Sequence, residues 1–239
     1  MIKGILFDKD GTLIEFISVW HDIIRSILEV LEREYFFSRQ IIDKIKEVSG
    51  IRDKDFAKES IIQYYATSQI IDLWFVILAN ADIDGHRIIT YKELMALFEE
   101  KTQDENLKIN AVEGTKELLA YLKNKNYIIG IATADTYRST IFSLKKADIL
   151  NFFDYIGCNE EGVNPKPAND MAVRFCLKYQ LIPEEILIVG DSVTDMLFAE
   201  NSGTNFIGIK TPYNHYEKFH EHHMPTVDKL RDIVVKLSL

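Results

Sequence analysis

The sequence predicts an α/β fold: a doubly wound parallel-sheet core with an all-helical domain inserted near its N-terminus. Three observations predict it. Ile5-Leu6-Phe7 is an apolar run almost at the start, closed by Asp8-Lys9-Asp10-Gly11-Thr12, as expected of a strand buried on both faces. From about Ser18 to Leu107 apolar residues recur at helical spacing. From Val112 onward short apolar runs alternate with helical patterns, which argues for βαβ units and a parallel sheet. The first strand belongs with this later half. The domains are therefore expected at 1–14 with 110–239 for the core and 15–109 for the helical insertion.

Each element has a local reason. Ile23, Ile24, Ile27, Leu28 and Leu31 lie on one helical face, with Asp22, Arg25, Glu29 and Glu32 between them. Ser38 is placed to cap a second helix carrying Ile41, Ile42, Ile45 and Val48, and Gly50 to end it. A long third helix is expected from Ser60 to Asn80, apolar nearly all round after Ile70 and hence buried in a bundle. Thr90 and Glu93 form a capping-box pattern for a fourth, running to about Glu105. In the core, helices are expected near 113–125, 136–147, 169–179, from Thr194, and at 228–237. Strands are expected at 127–132, 155–156, 186–189 and 206–209.

Composition narrows the function classes. Apolar residues make up 47% and charged residues 27%, ordinary for a soluble globular protein. A net charge of −9 argues against nucleic acid or an anionic membrane surface as the main partner. Cys158 and Cys176 supply no disulfide framework, and no signal-peptide pattern opens the chain, so a cytoplasmic location is expected. The longest apolar run, Leu73 to Ala79, is far short of the roughly 20 residues that span a bilayer. That same stretch could serve a core or an interface, which leaves monomer and homodimer both open.

The polar residues at the strand ends carry the chemistry. Asp8 and Asp10 follow the first strand, Thr133 the second, Lys166 lies in the loop before a later helix, and Asp191 and Asp195 follow a further strand. In a parallel sheet these share the carboxyl edge, where ligands bind. Several carboxylates around one crevice repel unless a hard cation joins them, and Mg²⁺ suits a few carboxylates plus a phosphate. An aspartate can then attack phosphorus, a second carboxyl can move the proton, and a lysine and a hydroxyl can steady the phosphoryl oxygens.

Asp8-Lys9-Asp10-Gly11-Thr12, Thr133, Lys166 and Gly190-Asp191 with Asp195 resemble, in order and spacing, the four motifs of the haloacid dehalogenase-like (HAD) superfamily. Val112-Glu113-Gly114 resembles the return from cap to core in its phosphoglycolate phosphatase-like branch. The resemblance implies a Rossmann-like core with a helical cap, and Mg²⁺-dependent hydrolysis of a small phosphomonoester through an aspartyl-phosphate. It implies that Asp8 is nucleophile and metal ligand, and that Asp10 is general acid/base and lends its backbone carbonyl to the metal. It further implies that Thr133 and Lys166 bind the phosphoryl group, that Asp191 is a ligand, and that Asp195 supports the metal shell. Dehalogenases of that superfamily keep no acid at this position, so with Asp10 present the resemblance implies phosphate esters rather than carbon–halogen bonds. A sugar-phosphate mutase similar to β-phosphoglucomutase is the alternative that would use the same intermediate.

Three further signals compete. Asp82 to Glu93 resembles an EF-hand loop, the basis of a second alternative, a calcium-responsive binding protein; but His86 and Arg87 stand where an oxygen ligand and a glycine are needed. His215, His220, His222 and His223 match no fixed metal spacing and are expected in a solvated loop, and His21 at a surface or packed position. Arg52, after the second helix of the insertion, is a candidate for binding a carboxylate or second phosphate of the substrate.

Overall fold

The computed structural model describes residues 1–58, 60–81 and 88–237. The chain divides into two compact units, 1–16 with 109–239 and 17–108. In chain order the elements are β1 (Gly4–Phe7), α1 (Phe16–Arg33), α2 (Arg39–Ser49), α3 (Ile61–Tyr64), α4 (Thr67–Ala79), α5 (Tyr91–Thr102) and α6 (Thr115–Asn124). There follow β2 (Ile128–Ala132), α7 (Tyr137–Lys146), β3 (Tyr155–Gly157), α8 (Asp170–Tyr179) and β4 (Ile186–Gly190). The last are α9 (Val193–Ser202), β5 (Asn205–Ile209), α10 (Tyr216–Glu221), β6 (Thr226–Val227) and α11 (Asp232–Leu237).

The sheet unit is the α/β fold expected. Its strands run β3-β2-β1-β4-β5-β6, and every pair is parallel. Both faces of the central strands are covered, as an all-parallel sheet requires. Leu6, Ile186, Ile188 and Phe206 pack with Phe175 of α8, Met196 of α9 and Phe219 of α10. On the opposite face Ile5, Phe7, Leu187 and Val189 are equally buried. Strand order reverses at β1, with β2 and β4 as its two neighbours. A crevice opens at such a switch point, beyond the carboxyl ends of the strands.

The helical unit buries one face of each long helix. Ile23, Ile27 and Leu31 come from α1, Ile42 and Ile45 from α2, Trp74 and Leu78 from α4, Leu94 and Phe98 from α5. Trp74 packs edge-on against Phe98 at 5.2 Å, and its Nε1–H donates to Ser49 Oγ at 2.8 Å, so the buried indole is satisfied. Thr90 and Glu93 form the capping box that opens α5.

Four local expectations are corrected. The long third helix is two, α3 and α4, broken where Tyr65 and Ala66 are extended. Gln69 Oε1 takes the Ala66 N–H at 2.9 Å, so a new helix start competes with continuation. Val76 is 57% exposed, so α4 is buried on one face only. Val48 likewise faces outward at 43%. The histidine-rich stretch is no loop: it contains α10, because Phe219 seats at 0% exposure against Phe206. Among the described residues no helix is long and apolar enough to cross a membrane.

Candidate active site

The site is built at the carboxyl ends of β1, β2 and β4. The Asp8 N–H donates to Val189 O at 2.8 Å, the last rung between β1 and β4, so Asp8 leaves the sheet beside the end of β4. Gly11 then turns the chain at φ 82° and lets it pass the Asp191 carboxyl: a Cβ there would lie 2.5 Å from Asp191 Oδ2. Gly190 makes the same allowance for Asp195, whose Cγ would lie 2.4 Å from a Cβ.

Lys166 closes the set. Its ammonium donates to Asp8 Oδ1 at 2.6 Å and to Asp195 Oδ1 at 2.5 Å, and its side chain is 5% exposed. The loop that carries it is tied to α9, where the Asn201 side chain donates to Pro167 O at 2.8 Å. The other oxygen of Asp195 accepts from Ser192 N–H at 3.1 Å and Ser192 Oγ–H at 2.5 Å, the N-terminal capping box of α9. Asp191 is placed through its backbone: Asn214, 2% exposed, donates one amide N–H to Asp191 O and the other to Ile209 O, both at 2.7 Å. Thr133, at the tip of β2 and 3% exposed, accepts the Asp135 N–H at 3.2 Å, which leaves its own proton to donate.

Electrostatics explain what the cluster requires. Ligand oxygens of Asp8, Asp191 and Asp195 all lie within 4.8 Å of one another, a convergence of three acids found nowhere else among the described residues. Burial pushes the Asp8 carboxyl up from 3.8 to about 7; the Lys166 ammonium opposes the rise, and Asp195 and Asp10 add to it. Asp191 is also raised well above the carboxylate range, by burial first and then by Asp8 and Asp195. One ammonium does not balance these acids. The donor set, carboxylate oxygens in a polar crevice, suits a hard divalent cation.

A pH dependence follows. Between about 3.8 and about 7 the folded protein holds a proton on Asp8 that the unfolded chain has released. Stability contributed by this site therefore falls as pH rises through that window. In chelator, the melting temperature of wild type relative to Asp8→Asn should fall between pH ~4 and ~7, and a saturating divalent cation should flatten the difference. A difference that stays constant with pH would count against the raised carboxyl.

A second prediction tests the close packing. Gly190→Ala should destabilise the protein by about 1–3 kcal/mol, the usual cost of overpacking, because Asp195 is held on both oxygens and cannot retreat. Wild-type stability and metal affinity in this variant would contradict the geometry.

Of the residues named from sequence, Asp8, Lys166, Asp191 and Asp195 are brought together here, with Thr133 at the neighbouring strand end. Asp10 accepts from Lys9 Nζ at 2.6 Å. Arg52 lies in the helical unit, 62% exposed, in a turn where its N–H donates to Asp55 O and its carbonyl lies 3.2 Å from His21 Nε2. Residues 82–87 of the EF-hand-like stretch lie outside the described residues; Glu93, its last acid, caps α5 through Thr90 N and Oγ1 at 2.9 Å each. His222 pairs with Glu200 at 3.0 Å. Sequence reasoning passed over Lys9, Asp135, Ser192 and Asn214. Only Ser192 carried a readable signal, the Ser-x-x-Asp capping pattern ending at Asp195.

These side chains gather at the switch point of a parallel sheet, where ligands bind in such folds. The family model for "Haloacid dehalogenase-like hydrolase" matches residues 5–209, and the chain belongs to that family. A Bacillus mycoides protein named pyrophosphatase PpaX is 24% identical over 239 residues, covering 99% of this chain and 97% of its own. A Thermotoga maritima protein named phosphorylated carbohydrates phosphatase is 19% identical over 202 residues, covering 84% and 82%. Among solved structures, a "predicted phosphoglycolate phosphatase" from Haemophilus somnus superposes with a TM-score of 0.74 at 21% identity, covering 100% of this chain and 98% of that one. That last likeness is one of fold.

Proposed function

We propose that this chain is a phosphatase that hydrolyses a small phosphorylated metabolite, a phosphomonoester, through an aspartyl-phosphate on Asp8, with Mg²⁺ as cofactor. One observation carries the reading: the Lys166 ammonium bridges Asp8 and Asp195, with the Asp191 carboxyl beside them. A nucleophile, a fixed positive charge and a cation site then meet at one point.

The residues divide the work. Asp8 attacks phosphorus and the ester oxygen leaves. Asp10 gives that oxygen its proton, then takes one from the water that hydrolyses the aspartyl-phosphate, so acid and base roles alternate. Lys166 and the Thr133 hydroxyl stabilise charge on the transferring oxygens. Asp8, Asp191 and the Asp10 carbonyl would hold Mg²⁺, which supplies further charge neutralisation when bound. Both oxygens of Asp195 already accept protein donors, so in this reading it supports the metal shell by orienting Lys166. Residues 15–109 act as the selecting cap, with Arg52 for a second anionic group.

The substrate class is testable directly. Phosphate release would be measured with and without Mg²⁺ from p-nitrophenyl phosphate, sugar phosphates, phosphoglycolate and pyrophosphate, the last because of the relatives' names. Mg²⁺-dependent release from at least one of the esters supports the proposal, and release from pyrophosphate alone would replace the phosphomonoester with a phosphoanhydride. No release from any would sink it, and conversion of a hexose phosphate through a bisphosphate would replace it with a mutase.

A further inference from the structure

Lys9 is a buried charge to which the reaction above gives no task. Its side chain is 2% exposed, although lysine is among the residues least often found fully inside. The ammonium donates to Asp10 Oδ2 at 2.6 Å and pairs with Asp135 Oδ2 at 3.2 Å. That same Asp135 oxygen accepts the Ser139 Oγ–H at 3.0 Å, in the first turn of α7. The Asp135 backbone is held as well: its N–H reaches Thr133 Oγ1 and its carbonyl accepts from Asn159 N–H at 2.9 Å. A line of contacts thus runs from the start of α7 through Asp135 and Lys9 to the Asp10 carboxyl. Burial works against the ammonium, but Asp10 and Asp135 outweigh it and keep Lys9 charged.

Stability alone is a poor reason for such an arrangement. Replacing a buried ion pair by well-packed hydrophobic residues is often neutral or stabilising. The preceding strand residues, Ile5 to Phe7, are all apolar and fully buried, so the buried charge at position 9 departs from the run before it. Orientation is the better reason. A general acid/base works only within hydrogen-bond reach of its proton, about 2.6–3.2 Å, and Asp10 stands on a turn just beyond the strand.

We propose that Lys9 is a positioning residue for Asp10: it fixes the rotation of the Asp10 carboxyl by a charged hydrogen bond and is itself anchored by Asp135. The proposal rests on the acid/base reading of Asp10. Lys9 touches neither the phosphoryl group nor the oxygen that leaves; it sets where the proton-carrying carboxyl points, and it ties the turn after β1 to the segment that carries Thr133.

The test is a double-mutant cycle on the Mg²⁺-loaded enzyme with p-nitrophenyl phosphate, with melting temperature followed throughout. Lys9→Met should lower kcat by about 10- to 100-fold, part of the 10²–10⁴ that general acid–base catalysis supplies, and move KM by less than about threefold. In an Asp10→Asn background the same change should cost less than about twofold more, because the group it positions is gone. Lys9→Arg should recover part of the loss. If Lys9→Met leaves Asp135 too poorly compensated to fold, Lys9→Met/Asp135→Asn removes both charges and should show the same fall in kcat. An unchanged kcat in a folded variant, or a full further loss in the Asp10→Asn background, would overturn the proposal. Wild-type kcat in Asp10→Asn alone would remove the acid/base reading and this inference with it.

Discussion

Asp8→Asn is expected to lower turnover by roughly 10⁴-fold or more, the scale of loss when a nucleophile is removed, while the protein stays folded. Asparagine keeps the shape of the side chain and an oxygen that can accept from Lys166, whose contact with Asp8 Oδ1 is 2.6 Å. It cannot form the acyl phosphate, because its carbonyl oxygen is a poor nucleophile. The change also removes a charge that burial disfavours, so at pH ~8 without metal the variant should melt at or above the wild-type temperature. Loss of activity with retained stability separates chemistry from folding. Measurement needs only p-nitrophenyl phosphate turnover and a thermal melt on both proteins. Turnover within tenfold of wild type, on the order of one multiple of 1.4 kcal/mol, would refute Asp8 as the nucleophile.

Lys166→Met is expected to act on both counts at once. The ammonium stands between Asp8 and Asp195, and all three side chains are nearly or mostly out of water. Removing one partner from a buried ionic cluster costs about 3–5 kcal/mol, because the charges left behind are uncompensated. Part of that cost should be recovered by Mg²⁺, since the remaining acids attract a cation more strongly when the competing ammonium is gone. The melting temperature should therefore become more dependent on Mg²⁺ than in wild type. Turnover should not recover: a fixed donor to the transferring phosphoryl group is worth about 10²–10³ in kcat. A variant with wild-type turnover in Mg²⁺ would show that Lys166 only balances charge.

These two variants probe residues separated by 158 positions in the chain, and that separation bears on what could be read in advance. The alternation of apolar runs with helical patterns after Val112 predicted the sheet unit because both periods are local. The motif residues were legible for a related reason: each follows a strand, and in a parallel sheet every strand end points to the same edge. Family membership, carried by residues 5–209, agrees with that order of motifs. The break between α3 and α4 was not legible, because the polar start at Thr67–Ser68 had to be weighed against a strong apolar pattern on either side. Nor was α10, a six-residue helix whose formation depends on a buried seat for Phe219 on distant β5.

The sequence by itself determined the class of fold, the order of its elements and the set of side chains at the strand ends, because hydrophobic period and turn chemistry act over a few residues. Only the tertiary structure decided which of those side chains meet. It brought Lys166 between Asp8 and Asp195, and Asn214 under Asp191. It turned Lys9, by sequence just one more charged residue in a polar turn, inward between Asp10 and Asp135. The physical reason is common to all of these. A buried charge or amide must find partners, and the partners available to it are set by packing between segments far apart in the chain.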